Sequence, residues 1–200
     1  MKNIFLILIT IVTISCKAQT VPLNTYYDDT NIGAYFKDTY DEMNRYTGTW
    51  QFTNANDTLT IVIQKKTHVY DGEEYYEDLL IGEYRYVSNG IEIVNTLPLL
   101  SNFSIIGREH NISGKYQIGK NIYLACSDCN NNEKRFMLNF WDPDRIYLSL
   151  SIVLRYLPIS LGEPEKLTAT LIANNGVILP NANSPTEARV SYGEYLMIKQ

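Results

Sequence analysis

The sequence predicts an all-β domain, a single antiparallel meander of about 8–10 strands, and three observations carry that expectation. Apolar and polar residues alternate with period two through most of the chain after Gly48, the spacing that puts successive side chains on opposite faces of a strand. Sixteen tyrosines, with the β-branched residues, favour strands over helices. The connectors between alternating runs are rich in Asn, Asp and Gly, which tolerate the positive φ that tight hairpin turns require.

Thr39 to Arg45 reads as a short helix, because Thr39 and Glu42 have capping-box spacing. The first strand opens at Gly48, just after it. In the next, Leu59, Ile61 and Ile63 alternate with Thr60, Val62 and Gln64. Leu80, Gly82, Tyr84 and Tyr86 then alternate with Ile81, Glu83, Arg85 and Val87. Lys134–Trp141 and Ile146–Leu154 follow as strands, with Ile91–Asn95, Asn121–Ala125, Leu167–Ala173 and Tyr195–Lys199 as shorter ones. Asn54–Asp57, Asp71-Gly72, Asn89-Gly90, Asp142-Pro143-Asp144 and Asn174-Asn175-Gly176 join them. Hairpin connections make neighbours antiparallel, and no helix is long enough for a parallel crossover. Ser184-Pro185-Thr186-Glu187 is expected to cap one more helical turn.

So many strands in one open sheet would leave exposed edges. Closure into a barrel or folding into a two-layer sandwich are the two stable solutions. Gly48-Thr49-Trp50, opening a strand after a short helix, resembles the Gly-x-Trp of lipocalin-like barrels. That resemblance implies a Trp closing one end of a barrel, over a dozen residues at most.

The amino terminus carries a different signal. Lys2 precedes an apolar run from Ile4 to Ile14, and Ser15 sets a small residue before Cys16, which is the layout of a secretory leader. The run is too short to span a bilayer, which needs roughly 20 residues. Thr13-Ile14-Ser15-Cys16 resembles the bacterial lipoprotein signal, in which the cysteine is acylated and becomes the first mature residue. Residues 1–15 are then a signal peptide, 16–37 a lipid anchor with its tether, and 38–200 a single all-β domain. The tether is polar and turn-rich, and about twenty flexible residues reach roughly 25 Å. Tyr26, Tyr27, Tyr35 and Phe36 are the tether residues that suit packing on the domain.

Loss of the leader leaves 185 residues, a single domain by length and large enough to bury roughly 70% of its unfolded surface. The net charge of −5 offers no basic surface for phosphate backbones, so nucleic acid is not an expected partner. Ser15-Cys16-Lys17-Ala18-Gln19, Gly48-Thr49-Trp50, Gln64-Lys65-Lys66 and Tyr76 to Tyr84 resemble a family of small Bacteroidota lipoproteins of unknown function. That resemblance implies an envelope address and no catalytic residue.

The candidate chemistry is sparse. Cys126 and Cys129, in Cys126-Ser127-Asp128-Cys129, read as a disulfide across a turn in an oxidising compartment, with free thiols as the second reading. Such a small loop contributes about 2 kcal/mol at most. Two further ligands at Cys-x-x-Cys spacing, which zinc would need, are missing, so no metal or other cofactor is expected. His68 and His110 sit in polar stretches and read as solvated. Asp71 to Glu74 and Glu77-Asp78 read as a hairpin tip with solvated charge rather than an acid/base pair or a calcium loop. Neither Gly-x-Ser-x-Gly nor Ser-x-x-Lys occurs.

The function expected is therefore a membrane-anchored, non-catalytic binding or interaction module of the cell envelope, not an enzyme. Its partners would be the membrane, through Cys16, and a protein, with Tyr84, Tyr86, Tyr123 and Tyr147 as surface candidates. The alternative is a lipocalin-like carrier of a small apolar ligand in the lumen, which an eight-stranded barrel can hold unless side chains fill it. Phe136, Leu138 and Phe140, read as inward-facing, favour filling. An envelope hydrolase is a third, less supported class.

Overall fold

A computed structural model describes residues 18–175 and 179–200. Cys16 and the leader lie outside the described residues. The strands are β1 (Thr20–Pro22), β2 (Tyr35–Lys37), β3 (Gly48–Thr53), β4 (Asp57–Tyr70), β5 (Tyr76–Ser88), β6 (Ile91–Asn95), β7 (Ile112–Ile118), β8 (Arg135–Phe140), β9 (Leu150–Tyr156), β10 (Lys166–Ala173) and β11 (Gly193–Lys199). Helical structure among the described residues is limited to short 3-10 turns.

Eight of the strands close into an antiparallel barrel in the order β5-β4-β3-β11-β10-β9-β8-β7, and β7 pairs back onto β5. The sandwich alternative is thereby excluded. Leu80, Ile81 and Gly82 pair with Gly114, Ser113 and Ile112 at one seam, and Ile198 and Lys199 pair with Gln51 and Trp50 at the other. Gly82 lets β4 come close to β5, since a Cβ there would lie 2.8 Å from the Val62 carbonyl oxygen. β6 flanks β5, while β1 and β2 add in parallel at the β5 edge.

The lumen is packed with side chains. Leu59, Ile61 and Ile63 meet Leu80, Tyr84, Phe136, Leu138, Phe140, Ile152 and Leu154 in one buried cluster, as the alternation requires. One end is plugged by Trp50, whose Nε1 donates to the Tyr46 carbonyl at 2.7 Å. Tyr46 in turn donates from its hydroxyl to the Lys134 carbonyl, and its ring stands edge-on to Phe136 at 5.2 Å. Lys199 Nζ lies 5.4 Å from the centre of the Trp50 ring, within cation–π range.

Several local expectations are corrected. The helix expected over Thr39–Arg45 is a set of turns followed by a 3-10 turn, Asn44–Tyr46. The turns are braced by Asp38 rather than capped by Thr39: the buried carboxylate accepts from the backbone of Glu42 and Met43, each at 3.0 Å, and from Lys65 Nζ at 2.8 Å. The segment read as tether up to residue 37 is folded from β1 onward, because Val21, Ala34 and Phe36 bury against Tyr75. Asn121–Ala125 is not a strand, since Arg135 Nη2 gathers the carbonyls of Gly119, Lys120 and Leu124 around itself. Ile146–Ser149 is turn, so β9 starts at Leu150. There the buried Asp142 carboxylate accepts from the Arg189 backbone and its Nε, each at 2.9 Å, holding the 142–149 connection inward. No helical turn forms at Ser184–Glu187, where the Pro185 carbonyl accepts the Tyr147 hydroxyl instead.

Candidate functional site

β5 is buried on both faces, and its outer face carries the charge that organises this side of the barrel. Glu77, Leu79, Ile81 and Glu83 alternate outward, yet all are at most 1% exposed. Burying a carboxylate is costly unless it is paired and hydrogen-bonded, and each of these is. Glu77 takes a bidentate grip from Arg108, Nε to Oε1 and Nη2 to Oε2 at 2.7 Å each, with Lys115 Nζ at 3.1 Å from Oε2. Burial works against the Arg108 charge, but the Glu77 carboxylate outweighs it and raises the guanidinium pKa. Lys115 Nζ also sits 3.8 Å from the Phe36 ring centre and 4.9 Å from that of Tyr27. Glu83 pairs with His110 Nδ1 at 2.8 Å and accepts from Asn111 Nδ2 at 2.7 Å. Asp78, on the opposite set of the alternation, accepts from the backbone of Asp38 and His68 at 3.0 and 3.1 Å and from the Tyr35 hydroxyl. Burial and that hydrogen bond push the Tyr35 phenol well above its usual range.

These positions change the readings of the titratable residues. Glu77-Asp78 is a buried, fully partnered pair rather than solvated charge. Only Asp71 to Glu74 form the polar hairpin tip, where Asp71 Oδ1 accepts the backbone N–H of Glu73, Glu74 and Tyr75. His110 is buried. His68 is exposed and stacks on Tyr76 at 4.4 Å. Of the tyrosines expected on a partner surface, Tyr84 and Tyr86 are core residues, and Tyr147 packs against the core. Tyr123 is exposed and stands edge-on to Tyr116 at 6.0 Å.

Above the Glu77 cluster lies a cleft of about 640 Å³ on the outer face of β7 and β8, roofed by the segment Leu23–Tyr27. Its volume is within the roughly 300–1,000 Å³ of small-molecule sites. Tyr26, Tyr27, Tyr116, Arg108, Lys115 and Lys134 are the aromatic and cationic residues that line it. None of them was singled out as site chemistry in the sequence. The register explains why: Arg108 is 31 residues from Glu77, and the β7 alternation is broken by a bulge between Ser113 and Tyr116. Gly114, at φ +151°, sits in that bulge and lines the cleft without a side chain of its own.

The 119–134 loop packs on the neighbouring outer face. Cys126 and Cys129 form a disulfide across it, with Cα atoms 5.4 Å apart. Their sulfurs come near the Asp128 carboxylate, but both are committed to each other and Asp128 pairs with Arg155 at 2.8 Å. The loop is held to β9 by Arg155 Nε on Glu133 Oε1 at 2.6 Å. That hydrogen bond, against a smaller opposing effect of burial, keeps the Glu133 carboxyl below its ordinary value of 4.5. Because the folded value is the lower one, this pair stabilises the fold above that pH, and the contribution is lost as pH falls through the folded value. The urea midpoint is therefore expected to drop on acidification below about 4.5, and to drop less in Glu133→Gln. Equal drops in both chains would contradict the assignment.

The fold and cleft together define a closed eight-stranded antiparallel barrel with a filled lumen and a binding-sized cleft on its outside. The chain belongs to a family of unknown function, DUF6705, whose match covers residues 1–200. No curated protein and no solved structure was found to match it.

Proposed function

We propose that the protein is a lipid-anchored, non-catalytic binding module of the bacterial cell envelope, at the outer membrane on its periplasmic or surface side. In this reading it engages its ligand or partner on the outside of the barrel. The observation that carries the binding part is the contrast between the two spaces. Trp50, Tyr84, Phe136 and Phe140, each at most 1% exposed, fill the lumen, whereas the outer cleft has ligand-sized room. A lumenal carrier would have to expel that core, so the outer cleft is the better-supported site. Of the carboxylates weighed as acid/base candidates, Glu77 is held by Arg108 and Lys115 and Asp78 by Tyr35 and the backbone of Asp38 and His68.

The anchor rests on the leader pattern of Lys2, Ile4–Ile14, Ser15 and Cys16. β1 begins at Thr20, four residues beyond Cys16. Four extended residues reach about 14 Å, so an acylated Cys16 holds the barrel against the headgroup region rather than well clear of it. Fractionation of cells expressing Cys16→Ser tests the anchor. The variant is expected in the soluble fraction while the parent stays with membranes, and equal membrane retention would contradict it.

A further inference from the structure

The chemistry of the outer cleft narrows what it binds, given the reading of the cleft as the binding site. Its lining contains three cations, Arg108, Lys115 and Lys134, and no carboxylate, in a chain whose net charge is −5. Glu77, behind the wall, neutralises one charge of the Arg108–Lys115 pair and leaves the cleft cationic. Lys134 has no ion-pair partner among the described residues. Arg108 spends Nε and Nη2 on Glu77, so what it can offer a ligand is the other side of its guanidinium, with 41% of its side chain exposed. Its Nη1–Nη2 edge keeps two parallel N–H donors that can meet a carboxylate. The cleft therefore suits an anionic ligand.

The rest of the lining is made for a ring with hydroxyls. Tyr26 and Tyr116 are 79% and 54% exposed, and an exposed Tyr offers an apolar face with a polar tip. Tyr123 braces Tyr116 edge-on, which limits the side-chain entropy lost on binding. Asn24 and Asn139 line the same cleft and have no side-chain hydrogen-bond partner among the described residues. Each carboxamide presents both a donor and an acceptor.

We propose that the cleft between Leu23–Tyr27 and the outer face of β7 and β8 binds an acidic sugar of the uronic-acid class. The sugar ring lies on Tyr116, its hydroxyls meet Asn24 and Asn139, and its carboxylate is held by Lys134 and the free side of Arg108. The site is a saccharide-reading surface carried on a barrel whose interior takes no part.

The test is titration calorimetry on the full chain in detergent micelles, with a digalacturonate and a glucuronate-containing disaccharide as acidic probes. A neutral disaccharide and inorganic phosphate serve as comparisons. At least one acidic probe is expected to bind, and to bind more weakly as salt rises. Lys134→Glu and Tyr116→Ala are each expected to weaken it at least about tenfold, a loss of roughly 1.4 kcal/mol. Both sites are on the surface, and unchanged circular dichroism shows that the variants fold. Binding by neither acidic probe would overturn the proposal, as would binding that both variants leave intact. Phosphate or the neutral disaccharide binding as tightly as the uronates would also overturn it. Cys16→Ser is expected to bind the uronates as the parent does, so a failed anchor and a failed sugar site give different results.

Discussion

Trp50→Ala is expected to destabilise the protein by about 3–5 kcal/mol, the range for removing a large buried aromatic side chain. The indole is fully buried at the seam where β3 meets β11. Its Nε1 also supplies the hydrogen bond to the Tyr46 carbonyl that fixes the 3-10 turn across the barrel end. Truncation thus opens a cavity, leaves a carbonyl without its partner and frees Lys199 from the ring face. The other tryptophan, Trp141, is partly exposed, and Trp141→Ala should cost about 1 kcal/mol or less. Urea unfolding followed by far-ultraviolet circular dichroism separates the two, since the midpoint of that mainly backbone signal can be compared in both variants. Similar midpoints for both variants would contradict the assigned plug.

Glu77→Ala is expected to cost a similar amount, about 3–5 kcal/mol, for an electrostatic reason. The substitution leaves Lys115 buried without its carboxylate and removes both partners of the Arg108 fork. Loss of a buried counter-ion is more damaging than loss of the whole pair, because the remaining charge stays desolvated. Glu77→Leu combined with Lys115→Met is therefore expected to recover part of the loss seen in Glu77→Ala. Equilibrium unfolding of the single and double variants reads this directly. A double variant less stable than the single one would show that packing, not the ion pair, sets the cost.

Much of the barrel was legible in the sequence because its strands bury one face and leave the other near solvent. β4 is the clearest case, where Leu59, Ile61 and Ile63 point into the core as their spacing says. β8 and β10 follow the same rule. The alternation fails where both faces are covered. In β5 the outward Glu77 and Glu83 look solvent-facing in sequence, yet they are buried by Arg108, His110, Asn111 and Lys115, partners far along the chain. β7 was missed because Gly114 and the bulge after Ser113 break its period, and because Lys115 is buried through an ion pair that no local pattern reveals. β1 and β2 are three residues each, too short for periodicity to show. The cleft inherits these gaps: it is roofed by the segment after β1 and floored by β7 and β8, so its lining converges only in three dimensions. The Gly48-Thr49-Trp50 element lay in a contiguous stretch, and its Trp does close one barrel end.

The proposed anchor, Cys16, is four residues before β1 in the sequence. The Leu23–Tyr27 roof follows directly on β1 in the chain. The account depends on Cys16 being the first residue of a mature, acylated chain. Intact-mass spectrometry of protein purified from bacterial membranes tests this most directly. The expected species lacks residues 1–15 and carries acyl groups on Cys16. A chain that begins at Met1, or one with an unmodified Cys16 sulfur, would contradict it.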